Sequence, residues 1–585
     1  MFHYTLIPQP QQHIWHITLS FDHIAGSPNL LKLANWVAGS YMIRDFSRHI
    51  LGFQAACNGE DCEMYQLDKN TWQLPDQDGH YVVHYAVYAN DLSVRASLLD
   101  TQRGFIDGAC LFLYAPHRQN EVHEVELAGL PENWQIVSTL PRISETHFQA
   151  TSYAELTDHP IEMGEHIEIL RFEAHSIPHF IALSGYYRDF DRQRLIDDCQ
   201  RICEYEIDLF PRPTPFTHYL FLLYLGDGIY GGLEHISSTA LHADRKALPA
   251  YNMGEANAAY TELLGLIAHE YFHAWNVKSF KPTVFQPYDL EKETYTEQLW
   301  AYEGITSYYD DLTLVRSGVI SVSNYLNLLA NTMTRVQRNA GRKWQSLAQS
   351  SFAAWHKYYK QDENSPNAIT SYYQHGALFA LCLDLVIREN SEYSLDFVMQ
   401  NLYQRFLDTG AGTQEGEWQT LASEYTGLTL NDFFNYGLYS TEDLPLAMCL
   451  RQAGIELRWL PENRSSGNGK LVSEFPDFAP QAELGCRYTQ NKDGAVISHV
   501  FSGSSAEEAT LKPNDKIIAV NGLACTDFAA QTQTAVGDVH VLHFFREGVL
   551  RHTELTVQAA EPHTAYLKIV DEDLLQQWLF NQKSQ

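Results

Sequence analysis

Residues 263–278 read LLGLIAHEYFHAWNVK, which sets His269 and His273 four apart with Glu270 directly after the first. On a helix, positions four apart share a face, so both imidazoles can reach one metal ion through neutral ring nitrogens. Glu270, one residue round, can reach a water beside that metal without taking a coordination position. Two ligands on a rigid element, an open position and an adjacent base are what zinc-assisted hydrolysis requires. An ordinary helix that happens to carry two histidines is the alternative, since the chain holds 26 of them.

A third ligand would separate the two readings. Downstream, 297–312 read EQLWAYEGITSYYDDL, and Glu303 opens a helix-like, aromatic-rich segment. Its neighbours Trp300 and Ile305 are apolar, and a carboxylate there is costly without a partner. A metal is such a partner, and glutamate is the remaining ligand type for a two-histidine catalytic zinc. The rivals Glu291, Glu293 and Glu297 sit in the polar stretch LEKETYTEQ, which reads as a loop or helix start.

The elements that position these residues fall into three regions. Up to about residue 170, period-two stretches such as HYVVHYAVYA (80–89) and HIEILRFEAH (166–175) alternate with turn clusters such as PDQDG, which predicts an all-β region. From about 190 the pattern is mixed: DRQRLIDDCQRICEYEIDLF reads as helix, YLFLLYL (219–225) as a buried strand, and TELLGLIAHEYFHAW as helix. Helical segments follow, among them SNYLNLLANTMTRVQR, YYQHGALFALCLDLVIREN and SLDFVMQNLYQRFLD, the last with Ser394 as N-cap. After the polar stretch PENRSSGNGK (461–470), short β patterns return in AVISHVF, DKIIAV and VHVLHFF. The fold class is multidomain α+β. The expected division is an N-terminal β domain over 1–170, a catalytic domain over 171–450, a small β module over 451–565 and a C-terminal tail over 566–585.

Composition narrows the partners. The chain has 585 residues and a net charge of −32, from 40 basic and 72 acidic side chains. Such a surface repels phosphate backbones and anionic lipid, so neither nucleic acid nor membrane is expected. The apolar run 219–225 is too short to span a bilayer. The nine cysteines are scattered without a CxxC pair and read as reduced thiols. With no basic start and apolar core at the N-terminus, the expected location is cytoplasmic.

The quoted motifs resemble a family. HEYFHAWNVK followed by YEGITSYYDDL looks like the glycyl aminopeptidase family of gluzincin zinc peptidases, whose catalytic domain is thermolysin-like. WVAGSYMIRDFSRHI (36–50) resembles that family's N-terminal β domain, and AVISHVFSGSSAEEATLKPNDKIIAVNG (495–522) resembles a PDZ core. The resemblance implies one Zn2+ per chain on His269, His273 and Glu303, and peptide substrates with a free N-terminus, Gly or Ala preferred. GGLEH (231–235) looks like the Gly-x-Met-Glu-Asn element of related aminopeptidases, which makes Glu234 the anchor of the substrate amine and gives Gly231 and Gly232 close backbone approach to the peptide. His235 stands where that element has Asn. YYQHGALFAL resembles a Tyr-x-x-Gly helix start and picks Tyr373 over Tyr372 as donor to the oxyanion. So read, Glu270 accepts the proton of the attacking water and passes it to the leaving amine.

The PDZ-like module has two open readings: it binds a peptide or protein terminus, or an internal strand, by β-augmentation, with Glu483-Leu484-Gly485-Cys486 as its candidate carboxylate loop, or it is a structural appendage packed on the catalytic domain. Two other readings stay open. One is a zinc endopeptidase in which Glu234 is merely a surface residue. The other is a PDZ-based binding protein with weak catalysis, which has no physical need for Glu270 beside the metal ligands.

Overall fold

The computed structural model describes residues 1–465 and 467–580. Ser466, in the polar stretch 461–470, and 581–585, at the end of the expected tail, lie outside the described residues. The chain is a multidomain α+β protein whose residues gather into two compact units. The first holds Met1–Tyr295 with Ser317–Val319 and Leu402–Gln414, and the second holds the remainder.

In the first unit, the alternation of residues 80–89 becomes strand Gly79–Tyr88, which buries Tyr81, Val83, Tyr85 and Val87 on one face. It lies between Ile14–His23 and Ile50–Cys57 in a seven-stranded sheet. The apolar core under that sheet continues through Leu220, Leu222 and Leu233 into a second, five-stranded sheet. There Tyr219–Gly226 runs parallel to both neighbours, Ile177–Gly185 and Ser238–Asp244. A strand covered on both faces reads as a continuous apolar run, which is why 219–225 has no alternation. Gly231–Glu234 pairs antiparallel with Ser238–Asp244 and forms the edge of this sheet. Helix Ala258–Phe272 packs against these last two strands. It begins where the Asn257 side chain accepts from the Tyr260 N–H, a cap that satisfies one of the helix's open donors.

In the second unit, the chain enters through a π-helical turn, Trp300–Gly304, that continues as helix Ile305–Arg316. This pair crosses helix Gln374–Asn390 at two glycines. A Cβ on Gly304 would stand 2.6 Å from the Gly376 Cα and 2.7 Å from the Tyr372 carbonyl oxygen, so the crossing admits no side chain. Helix Val322–Arg338 buries Tyr325, Leu326, Leu329, Ala330 and Met333 at helical spacing and packs on a three-stranded sheet of Ile455–Leu460, Thr564–Ile569 and Lys470–Leu471.

Within 566–580, part of the stretch read from sequence as a tail, the chain forms regular structure. Strand Thr564–Ile569 pairs with Ile455–Leu460, and helix Glu572–Phe580 buries Leu575, Trp578 and Leu579. The pairing joins segments far apart in sequence, and such partners leave no local periodic signal. Between these strands sits the PDZ module, whose core gathers Ile497, Ile517, Phe528, Leu542 and Leu555. It is gripped by Asn367, whose side chain donates to the Val500 carbonyl (2.8 Å) and accepts from the Ser502 N–H (3.0 Å). All nine cysteines are free thiols. Among the described residues, no helix is long and apolar enough to cross a membrane.

Candidate active site

In the first unit, the motif helix ends at His273, its C-cap. The His269 and His273 rings stand 4.7 Å apart and nearly perpendicular. His273 Nδ1 lies 2.9 Å from the Asn276 carbonyl oxygen. A carbonyl can only accept, so Nδ1 carries the proton and Nε2 the lone pair, the tautomer a metal ligand needs. The chain then turns sharply at Val277 (φ +126°), a conformation that a β-branched residue rarely adopts. The turn returns the Lys278 N–H to the His273 carbonyl at 2.9 Å.

Glu270 is buried at 5% exposure and faces the edge strand. A Cβ on Gly232 would collide with its carboxylate, so glycine at 232 is what lets strand and carboxylate approach. Glu234, at the end of the same strand, is 4% exposed. Its Oε1 finds no hydrogen-bond partner among the described residues. Single ligating atoms of Glu234, Glu270 and His273 all lie within 4.8 Å of one another. Two buried carboxylates that close repel unless a cation stands with them.

Three supports of this arrangement were not singled out by sequence reasoning. Gly39 (φ +92°) lies against Glu234, and a Cβ there would overlap both carboxylate oxygens. Arg95 donates from Nη2 to the Gly232 carbonyl at 2.9 Å. Asp158 receives the Lys278 ammonium (2.6 Å), His235 Nδ1 (3.3 Å) and the Ile236 N–H (3.3 Å), which ties the residues after Glu234 to the chain after His273. Burial opposes a charge on Asp158, but Lys278 and His235 hold its carboxyl below the usual range. The WVAGSY and HAWNVK strings contained Gly39 and Lys278, and the alternation of their neighbours gave no hint of these contacts.

In the second unit, Glu303 is 2% exposed and sits in the π-helical turn one residue before Gly304. Trp300, in the same turn, packs edge-on against Phe379 and Trp418 at 5.1 and 5.2 Å. Tyr373 is the N-cap of the helix that this turn crosses. Its ring stands 4.7 Å from Tyr372 and 5.6 Å from Tyr358. Burial, and then the Glu303 carboxylate, push the Tyr373 hydroxyl well above its ordinary pKa. It therefore keeps its proton. Tyr372 is fully buried, and Tyr373 only in part. Glu291, Glu293 and Glu297 lie outside helices and strands, as the polar stretch predicts.

Comparison with known proteins gives three sequence-family matches: the Peptidase M61 N-terminal domain over residues 3–165, M61 glycyl aminopeptidase over 262–379, and the PDZ domain over 473–538. No curated protein matches the chain. Among solved structures, an aminopeptidase N family protein from Idiomarina loihiensis is 38% identical with a TM-score of 0.93, covering 99% of this chain and 100% of its own. An M1 zinc metallopeptidase from Deinococcus radiodurans is 12% identical with a TM-score of 0.47, over 76% of this chain and 94% of its own. A mutant of that enzyme bound to a Tyr-Ser-Ala substrate is 13% identical with a TM-score of 0.46, again over 76% and 94%.

Proposed function

The chain belongs to the M61 glycyl aminopeptidase family and is a metallo-aminopeptidase, and from that premise we propose that it removes the N-terminal residue of peptides, Gly or Ala preferred, with one zinc held by His269, His273 and Glu303. The donor set suits zinc: two imidazoles on one helix end, one with its tautomer fixed by a backbone carbonyl, and a buried carboxylate. When bound, the metal supplies a Lewis acid at which water loses a proton near neutral pH.

The chain's own residues do the rest. Glu270 accepts the proton of the attacking water and hands it to the leaving amine. Tyr373 donates from its hydroxyl to the developing oxyanion. Gly231 and Gly232 leave the edge strand open to a peptide backbone. Glu234 holds the substrate's ammonium through charge-assisted hydrogen bonds.

One observation carries the aminopeptidase reading over the endopeptidase one. The Glu234 carboxylate is buried beside Glu270 and His273, and one of its oxygens is unpartnered among the described residues. A peptide's terminal ammonium is the cation that completes it. Nine free cysteines support a reducing, cytoplasmic setting. Metal analysis of the purified protein, run alongside hydrolysis of glycine 4-nitroanilide, tests the proposal. One zinc per chain with activity that a chelator abolishes is expected, and a metal-free protein with full activity overturns it.

A further inference from the structure

The chain carries 72 acidic against 40 basic side chains, yet one cavity of the second unit is walled by four arginines. It measures about 460 Å³ and is lined by Arg335, Arg338, Arg464 and Arg487, with no Asp or Glu among its described walls. Arg464 alone of the four has a carboxylate partner, Glu483, among the described residues. His563 Nε2 also lies 3.1 Å from Glu483. Among the described residues, Arg338 donates to His563 Nδ1 at 3.2 Å, Thr564 Oγ1 at 2.8 Å and the Arg464 carbonyl at 3.3 Å, and to no carboxylate. Since Nδ1 accepts there, His563 turns its Nε2 proton to Glu483. Burial and the nearby Arg464 lower the Arg338 pKa to about 10, against the opposing pull of Glu483 and Glu462. Guanidiniums that outnumber their counter-charges are unfavourable together, and their planar forks match carboxylates.

The lining joins two functional elements. Ser371 and Gln374, which flank Tyr373 in sequence, belong to it, as does Tyr358, which packs 5.6 Å from the Tyr373 ring. So do Cys486 and Arg487, which open the PDZ edge strand Cys486–Asn491. A groove shares Arg464 and Cys486 with the cavity and runs on past Leu484 and Tyr488 to Ala529 and Thr532 of helix Phe528–Thr532. The Asn367 hydrogen bonds to Val500 and Ser502 hold the module that supplies Cys486 and Arg487.

We propose that this arginine-walled cavity receives the carboxylate-bearing downstream end of the peptide substrate, so that the enzyme selects acidic peptides beyond the cleaved bond. The proposal rests on the aminopeptidase reading and adds a substrate class to it. The carboxylate comes from the peptide's C-terminus or from a Glu or Asp side chain.

The test compares kcat/KM on the full-length zinc-loaded protein for four peptides: Gly-Ala-Ala-Ala-Ala with a free or an amidated C-terminus, and Gly-Ala-Ala-Glu-Ala-amide or its Lys counterpart. At least one carboxylate-bearing peptide is expected to exceed its neutral or basic counterpart by about tenfold or more, and the favoured pair names the source. In the Arg335→Gln/Arg487→Gln variant, both positions being exposed, that ratio falls toward one. Each ratio is taken on a single protein preparation, so partial misfolding cancels. Equal rates for all four peptides, or a ratio unchanged in the variant, overturn the proposal. Glycine 4-nitroanilide, which has no downstream peptide, is run alongside. If it is not hydrolysed, the aminopeptidase reading fails; if it is hydrolysed while the peptide ratios stay at one, only the downstream site fails.

Discussion

Gly39 and Glu234 are packed so closely that no side chain fits at 39, although Gly39 lies in the connection after strand Leu30–Lys32 and Glu234 ends strand Gly231–Glu234, far apart in sequence. The N-terminal β region thereby shapes the end of the peptidase edge strand. Gly39→Ala adds a Cβ against the carboxylate and forces a non-glycine residue to φ +92°. Strain of this kind costs about 1 kcal/mol or more. The thermal midpoint should fall by a few degrees, and kcat/KM on free-amine peptides should fall further than the lost stability explains. Wild-type kinetics in this variant would remove Gly39 from any role in placing Glu234.

Replacing Glu270 with Gln leaves the histidines and Glu303 in place but removes the proton acceptor. The variant should retain its zinc and lose turnover by at least about a hundredfold. Metal content and kcat, measured on one preparation, check both halves. A near-normal kcat would assign the base elsewhere.

His273→Phe should release the metal, because it removes one donor and the Nδ1 bond to Asn276. Metal analysis after dialysis reads this without reference to activity. Zinc retained at one per chain would exclude His273 as a ligand.

Gly376→Ala places a methyl where the Gly304 Cα stands, 2.8 Å from the ideal Cβ position. Overpacking at a tight helix crossing costs about 1–3 kcal/mol. The same shift moves the turn that carries Glu303, so zinc affinity should drop along with stability. Loss of stability alone, with zinc affinity untouched, would separate the crossing from the ligand.

The helix that carries His269, Glu270 and His273 was legible because these residues stand out by their local spacing, whereas its Asn257 cap emerged only with the structure. The continuous apolar run 219–225 likewise announced a strand buried on both faces. Contacts between distant segments were not legible. Nothing in WVAGSY says that Gly39 will meet Glu234, and nothing near Lys278 says that it will pair with Asp158. The stretch 566–585 looked like a tail for the same reason, since strand Thr564–Ile569 finds its partner only in Ile455–Leu460. The arginine cavity was hidden by composition, because four positive side chains drawn from three separate segments vanish within a net charge of −32.

The central claim is that Glu234 makes this enzyme an aminopeptidase by holding the substrate's terminal ammonium. The measurement that tests it most directly compares one peptide, with its N-terminus free or acetylated, on the wild type and on Glu234→Gln. Charge-assisted contact to a buried carboxylate is worth about 1.5–3 kcal/mol, or about ten- to a hundredfold in rate. The wild type should cleave the free peptide at its first bond and leave the acetylated one nearly untouched, and Glu234→Gln should lose most of that preference by losing rate on the free peptide. Efficient cleavage of the acetylated peptide at an internal bond by the wild type, or a preference unchanged in Glu234→Gln, would contradict the account.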